Sequence, residues 1–229
     1  MPIIAAKLNS QPARHQVADR IRESILEGAL VPGERLVERK LAEVLGTSQS
    51  SQSAVREALI QLELEGHVTK KPNSATFVTD FSQRDLENTI AVRRALEAFA
   101  SEEAARQATP PDIRKLEDLY QQSAAAVRAR DFQKYIRGDL TWHTAMWEAT
   151  HNDCLVESLR RIVVPLFGFS AIRVAAQPGF NLSADLQLHR ALLDAIAAGE
   201  PERAKRAFHA AMNDWAQQAL RLYSVDGGH

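Results

Sequence analysis

The 229-residue chain has a single cysteine, Cys154. No intrachain disulfide can form, which fits a reducing cytoplasm, and Cys154 itself is expected to be buried packing. No apolar run approaches the roughly 18 residues of a membrane span. The opening MPIIAAKLNSQPAR is interrupted by polar residues and proline, so it lacks the apolar centre of a secretory signal. Residues 1–14 are expected to form a flexible arm. An excess of charge of one sign is also missing: 28 Lys and Arg face 29 Asp and Glu, for a net charge of −1. A globally basic protein is thereby excluded, but a local basic face is not. There is no Gly-rich phosphate loop, no G-x-S-x-G elbow and no cysteine-based metal pair. Hydrophobic content of 45% and charge of 25% are those of a soluble globular protein. The length allows two small domains or one large one.

The most informative stretch is LVERKLAEVLGTSQSSQSAVREALIQLELEGHV, from Leu36 to Val68. Leu41, Val44 and Leu45 fall at i, i+3, i+4, and Val55, Ala58, Leu59 and Leu62 at i, i+3, i+4, i+7, so two amphipathic helices are expected. Gly46 can stop the first and the serines after it can cap the second. Gln52, Ser53 and Arg56 lie off the apolar stripe, as a set suited to base edges and phosphates. Periodicity alone would equally allow two core helices of an all-helical domain. The flanks decide for DNA binding. His15–Glu27 carries Val17, Ile21 and Ile25 at i+4 steps, and Gly28, Pro32 and Gly33 form a turn. VTKK and TFVTD flank Pro72-Asn73-Ser74 as a hairpin. Three helices and a hairpin make a winged helix-turn-helix, with Lys70 and Lys71 on the wing near phosphates. Arg35, Arg39 and Lys40 complete the candidate basic face, partly offset by Glu34, Glu38, Glu43 and Glu57.

GALVPGERLVERKLAEVLG followed by VREALIQLELEGHV resembles the N-terminal domain of GntR-family bacterial transcription regulators, over roughly residues 16–80. Three local departures mark this chain. TSQSSQSA separates Gly46 from Val55, three residues more than the family's usual spacing, and deleting one QSS would restore it. Ala75 replaces the usual wing glycine, and Gln52 stands where the family typically has arginine.

After Phe81 the sequence reads as helices only, over 83–107, 111–128, 131–150, 152–175, 182–198 and 201–223. The breaks are Thr109-Pro110-Pro111, Asn152, Gln177-Pro178-Gly179 and Gly199-Glu200-Pro201. Ser82 with Asp85 forms a capping-box-like start. Pro165 is expected to kink or break the fourth of these helices. The fold class is therefore mainly α: a winged helix-turn-helix over 15–81, then an all-α bundle of six or seven helices over 82–225. Asp139 and His143 are i, i+4 on one helix, and His189 lies on a later apolar helix. Such groups could converge on a metal in a bundle core, or be an ordinary surface ion pair and a core histidine. Trp142 and Trp147 are expected to be core packing.

DLTWHTAMWEATHNDCL and HRALLDAIAAGEPERAKRAFHAAM look like the ligand-binding FCD domain of FadR-type GntR regulators. Asp139, His143 and Asn152 match its pattern in register, as do His189, Ala195-Ile196, Gly199-Glu200 and Ala204. The resemblance implies a divalent metal, zinc or nickel, held by Asp139, His143 and His189 beside a carboxylate-effector pocket. The family's last histidine falls on Ala211. His209 is two residues earlier, about 200° around the helix, and is not carried over. Arg93 and Arg94 precede Leu96 and Glu97, resembling the family's R-x-x-L-E. An arginine there could grip a carboxylate bidentately, or pair with Glu97 at i+4.

The function implied is a cytoplasmic, homodimeric DNA-binding transcription regulator. It would bind a pseudo-palindromic operator and respond to a small carboxylic acid in the bundle, with no membrane association. Two rivals are a metal-dependent enzyme built on Asp139, His143 and His189, and a dimerisation bundle that has lost its ligand.

Overall fold

The computed structural model describes residues 13–44, 52–71, 75–169 and 181–225. Much of residues 1–14, Gly46 with the TSQSS part of the extra segment, the wing tip Pro72-Asn73-Ser74 and the turn Gln177-Pro178-Gly179 lie outside them.

The N-terminal unit runs α1 (Ala13–Leu26), β1 (Arg35–Leu36), α2 (Glu38–Val44), α3 (Gln52–Leu64), β2 (Val68–Lys71) and β3 (Ala75–Val78). Helix α3 buries Val55, Ala58, Leu59 and Leu62, the stripe expected from its spacing. Each large apolar side chain so buried contributes roughly 1.5–3 kcal/mol. They meet Val17, Ala18, Ile21 and Ile25 of α1 and Val68 and Val78 of the sheet. Helix α2 follows its expected stripe only in part. Leu41 packs against the core and Ala42 is buried, while Val44 is 76% exposed and Leu45 lies outside the described residues. Seven residues are too few for apolar spacing to define a face. The sheet is three-stranded, in the order β1-β3-β2. The expected hairpin pairs Lys70 with Thr76 and Lys71 with Ala75. The third strand, β1, adds Arg35 opposite Phe77, and two residues are too short a run for a sequence pattern to reveal.

Six further helices follow among the described residues: α4 (Gln83–Gln107), α5 (Pro110–Ala129), α6 (Phe132–Glu148), α7 (Asp153–Phe169), α8 (Leu182–Ala197) and α9 (Pro201–Val225). Ser82 and Asp85 form the reciprocal capping box that starts α4. Asn152 Oδ1 accepts from Leu155 N at 3.1 Å and starts α7. Trp142, Trp147, Met146, Leu159, Leu166 and Phe208 are fully buried in one core. Pro165, expected to kink or break its helix, does not break it, since the helix continues to Phe169. The expectation for Cys154 is corrected. Cys154 is exposed, because it stands two residues after the Asn152 cap in the solvent-facing first turn.

The end of α7 also touches the N-terminal unit. Gly66, at φ +80°, lies against Pro165 so closely that an added Cβ would sit 2.8 Å from Pro165 Cγ and 3.2 Å from the Arg161 carbonyl oxygen. That carbonyl is the acceptor that proline at i+4 cannot serve. Gly168 faces Ile25 of α1, where a Cβ would come within 3.0 Å of Cγ2. Phe81 and Phe169 meet edge-to-face, with ring centroids 5.4 Å apart. Among the described residues, no helix is long and apolar enough to cross a membrane.

Candidate functional site

Arg35, Arg39, Lys40, Gln52, Ser53, Arg56, Lys70 and Lys71 are all exposed. Gln52 and Ser53 occupy the first turn of α3, the end that a recognition helix presents to base edges. Arg56, one turn on, donates from Nη2 to Glu38 Oε2 of α2 at 3.1 Å. Arg39 lies 3.8 Å from Glu43. Lys71 stacks its ammonium 4.7 Å from the Phe77 ring centre. Several cations of this face are thus already partnered by acids or rings. Contact with phosphate would exchange exposed ion pairs, which are individually weak.

In the bundle, one point collects Asp139 and His143 of α6 and His189 of α8. One ligand atom from each lies within 4.8 Å of the others. His189 Nε2 is 2.9 Å from Asp139 Oδ1, His143 Nε2 is 3.7 Å from the same oxygen, and the two Nε2 atoms are 3.3 Å apart. The ligand–ligand edge of a tetrahedral zinc site is roughly 3.3 Å, given metal–ligand bonds of about 2.0–2.1 Å. Asp139 Oδ1 is buried and has no well-directed hydrogen bond. Two imidazoles and a buried carboxylate oxygen at this spacing fit a divalent metal ion. His209 is not among the groups brought together. Its ring lies beside Phe208 instead.

Both imidazoles are held from behind. His189 Nδ1 lies 2.9 Å from the Asp185 carbonyl oxygen, one helical turn back. His143 Nδ1 lies 2.8 Å from Glu97 Oε1. The ring faces are filled by Trp142, edge-to-face on both histidines, and by Phe167, 5.6 Å from His143. Burial works against a charge on His189, yet the Asp139 carboxylate pushes its pKa up to about 10. Burial likewise raises Asp139, but the His189 and His143 rings more than offset it, and its carboxyl stands below the usual range. Without an ion, Asp139 and His189 therefore pair as carboxylate and imidazolium. A metal ion binding there would displace that proton.

Glu97 is fully buried on α4. Burial would raise its carboxyl, but Arg93 and then His143 hold it down at about 2. Arg93 Nε donates to Oε2, and the guanidinium lies over the rings of Phe167 and Trp215. Of the two arginines singled out, Arg93 thus forms the i+4 pair with Glu97. Arg94 Nε is buried with no hydrogen-bond partner. Trp142 and Trp147 are both core residues, and Trp147 Nε1 also donates to Glu97 Oε1 at 2.9 Å. In the sequence Glu97 stands out only as an arginine's partner. Its distance from the histidines in the chain hid its place behind them. Tyr135, whose hydroxyl donates to Asp185 Oδ2 at 2.5 Å, carried no sequence signal either.

Residues 88–214 match the FCD domain family, and residues 13–78 match the family described as bacterial regulatory proteins, gntR family. The HTH-type transcriptional regulator McbR of Escherichia coli K12 is 28% identical, over 82% of this chain and 83% of McbR. The Uxu operon transcriptional regulator of the same strain is 32% identical over 67% of this chain. Only 64% of that protein's length is spanned. The solved structure of E. coli McbR/YncC superposes with a TM-score of 0.81 at 24% identity, covering 93% of this chain and all of that one. A GntR regulator from Rhodococcus sp. RHA1 gives 0.73 at 21% identity, over 90% of this chain and 97% of that one. At these identities the structural likeness establishes the fold alone.

Proposed function

Because the chain belongs to the GntR family of bacterial transcription regulators and carries an FCD domain, we propose that it binds a pseudo-palindromic operator as a homodimer and answers to a small carboxylic acid held in its bundle. The protein is a transcription regulator and not an enzyme, since its matched families and relatives are regulators. On this reading residues 15–81 form the DNA-binding domain and residues 82–225 the effector-binding and dimerisation domain, working in the cytoplasm.

The observation that carries the proposal is the convergence of Asp139, His143 and His189 inside the domain that senses ligands. These residues would hold a divalent ion, zinc or nickel in preference to magnesium because two ligands are imidazoles. The ion would supply positive charge and open positions for carboxylate oxygens. Arg94, with its unpartnered buried Nε, is the candidate second anchor for the acid, while Arg93 is committed to Glu97. For the dimer, support comes from α4. Val92 and Phe99, each 45% exposed, are seven residues apart on one helix face, with partly buried Leu96 between them. Each DNA-binding unit would then read one half-site. Effector binding would change their relative placement and hence operator affinity.

The test begins with selection of a duplex from a random library by the purified full chain. Arg56→Ala should weaken binding to the selected duplex by ~1–3 kcal/mol if Arg56 reads a base. Equal binding by mutant and wild type across salt concentrations would remove Arg56 from the interface. A dicarboxylic acid should raise the melting temperature more with metal present than after chelation. An identical rise in both conditions would separate the effector from the metal.

A further inference from the structure

We infer that Glu97 is the positioning residue of the metal centre, acting through a hydrogen bond that fixes which nitrogen of His143 faces the ion. The inference rests on the reading that Asp139, His143 and His189 hold a divalent metal.

A neutral imidazole carries one N–H and one lone pair, and whichever nitrogen donates elsewhere leaves the other free as a ligand. Glu97 Oε1 lies 2.8 Å from His143 Nδ1. A carboxylate only accepts, so the proton belongs on Nδ1 and the lone pair on Nε2. Nε2 is the atom that faces Asp139 and His189. The same logic applies to His189, whose Nδ1 faces a backbone carbonyl. The two rings therefore reach the site in one tautomer, by different means. A backbone carbonyl cannot be mutated away, whereas Glu97 can, and that makes the His143 arm the testable one.

Glu97 is also built to stay where it is. Its Oε1 takes a second hydrogen bond from Trp147 Nε1 at 2.9 Å, its Oε2 is held by Arg93, and the residue has no exposed surface. Arg93 is fixed in turn by the rings of Phe167 and Trp215. An i+4 salt bridge needs neither total burial nor a third donor. A carboxylate that receives Arg, Trp and His together is arranged like the outer partner of a metal-bound histidine, and loss of such partners typically lowers metal affinity about 10- to 100-fold.

Changing Glu97 alone would strand a buried arginine and threaten folding. The experiment therefore removes both charges. R93M/E97M deletes the acceptor behind His143. R93M/E97Q keeps an amide oxygen able to accept from Nδ1. Cobalt and zinc affinities of the full chains are measured by chelator competition, and metal-free melting is recorded for each. Nitrogen-15 imidazole NMR of the metal-free proteins reads the tautomer. The expected result is wild-type-like affinity for R93M/E97Q and a loss of about 10- to 100-fold for R93M/E97M. The His143 Nδ1–H signature should be lost only in the latter. Equal affinities for the two double variants, whatever their melting temperatures, would overturn the role of Glu97. Absence of cobalt and zinc binding by the wild type would overturn the metal reading itself, and this inference with it.

Discussion

His67 should make the protein's stability fall in mild acid, by an amount that its surroundings fix. It lies in the turn between α3 and β2, 2% exposed. Its Nδ1 has no hydrogen-bond partner, and its Nε2 is 3.6 Å from Glu65 Oε2. That oxygen is already held by Arg22 Nη2 at 2.6 Å. Burial first, and then the Arg22 charge, push the His67 pKa down to about 4, with Glu65 only partly opposing them. An unfolded chain would have the ordinary value of about 6.5. Between these values the unfolded chain binds the extra proton, so stability must fall as pH drops through 6.5 and reach its full loss below 4. At about 1.36 kcal/mol per pH unit the full effect is about 3 kcal/mol, of which about 2 kcal/mol is lost between about pH 7.5 and pH 5. His189 works in the opposite sense. Its raised pKa, about 10, gives stability that is complete below about 6.5 and is lost as pH rises toward 10. The two partly cancel in the wild type, so the decisive quantity is a difference. Urea unfolding with chelator present should show wild type losing about 2 kcal/mol more stability than His67→Gln between about pH 7.5 and pH 5. Curves that stay parallel from about pH 7.5 to pH 5 would mean that His67 titrates normally in the folded protein.

Two further outcomes follow from the geometry. Gly66→Ala meets Pro165 at 2.8 Å and must adopt φ near +80°. It should lose about 2–5 kcal/mol from left-handed strain and overpacking together, seen as a melting temperature lower by several degrees. An unchanged melting temperature would show that this turn and α7 are not in contact. Ala211→His should raise the metal content of purified protein by restoring a fourth ligand at the family's register, as measured by elemental analysis. No gain would place position 211 away from the Asp139 site.

The sequence made most of this architecture readable because long helices announce themselves twice, by spacing and by caps. Val55, Ala58, Leu59 and Leu62 lie on the buried face their spacing implies, and Ser82 and Asn152 cap the helices they precede. Short elements were less legible: β1, with two residues, has no period to read, and α2, expected as a helix, is too short at seven residues for its spacing to fix which side is buried. Pro165 does not break its helix, because the rule for a break treats a helix as isolated. In this protein the carbonyl that loses its partner is packed beneath a glycine. Asp139 and His143 share a face through helix geometry alone, but their meeting with His189 needed the bundle, or a resemblance standing in for it. Glu97 was legible as an acid four residues after Arg93. That it also receives His143 and Trp147, 46 and 50 residues away, is a tertiary fact with no local trace.

The glycines at 66 and 168 bear on how this regulator could be rebuilt. Regulators of this kind invite chimeras, with one sensor domain spliced to another reader of DNA at the short link around Phe81. Here the two halves are keyed to each other across that link. Gly66 accepts the ring of Pro165, Gly168 accepts Ile25, and Phe81 of the link itself rests on Phe169. A foreign DNA-binding half with any side chain at the Gly66 position would be held off α7 by the width of a methyl group. Phe167, on the same turn of α7, rests against His143. A graft at the link that puts a side chain at position 66 would lose the seat between the halves. One that carries Gly66 and Ile25 along with Pro165 and Gly168 would keep it.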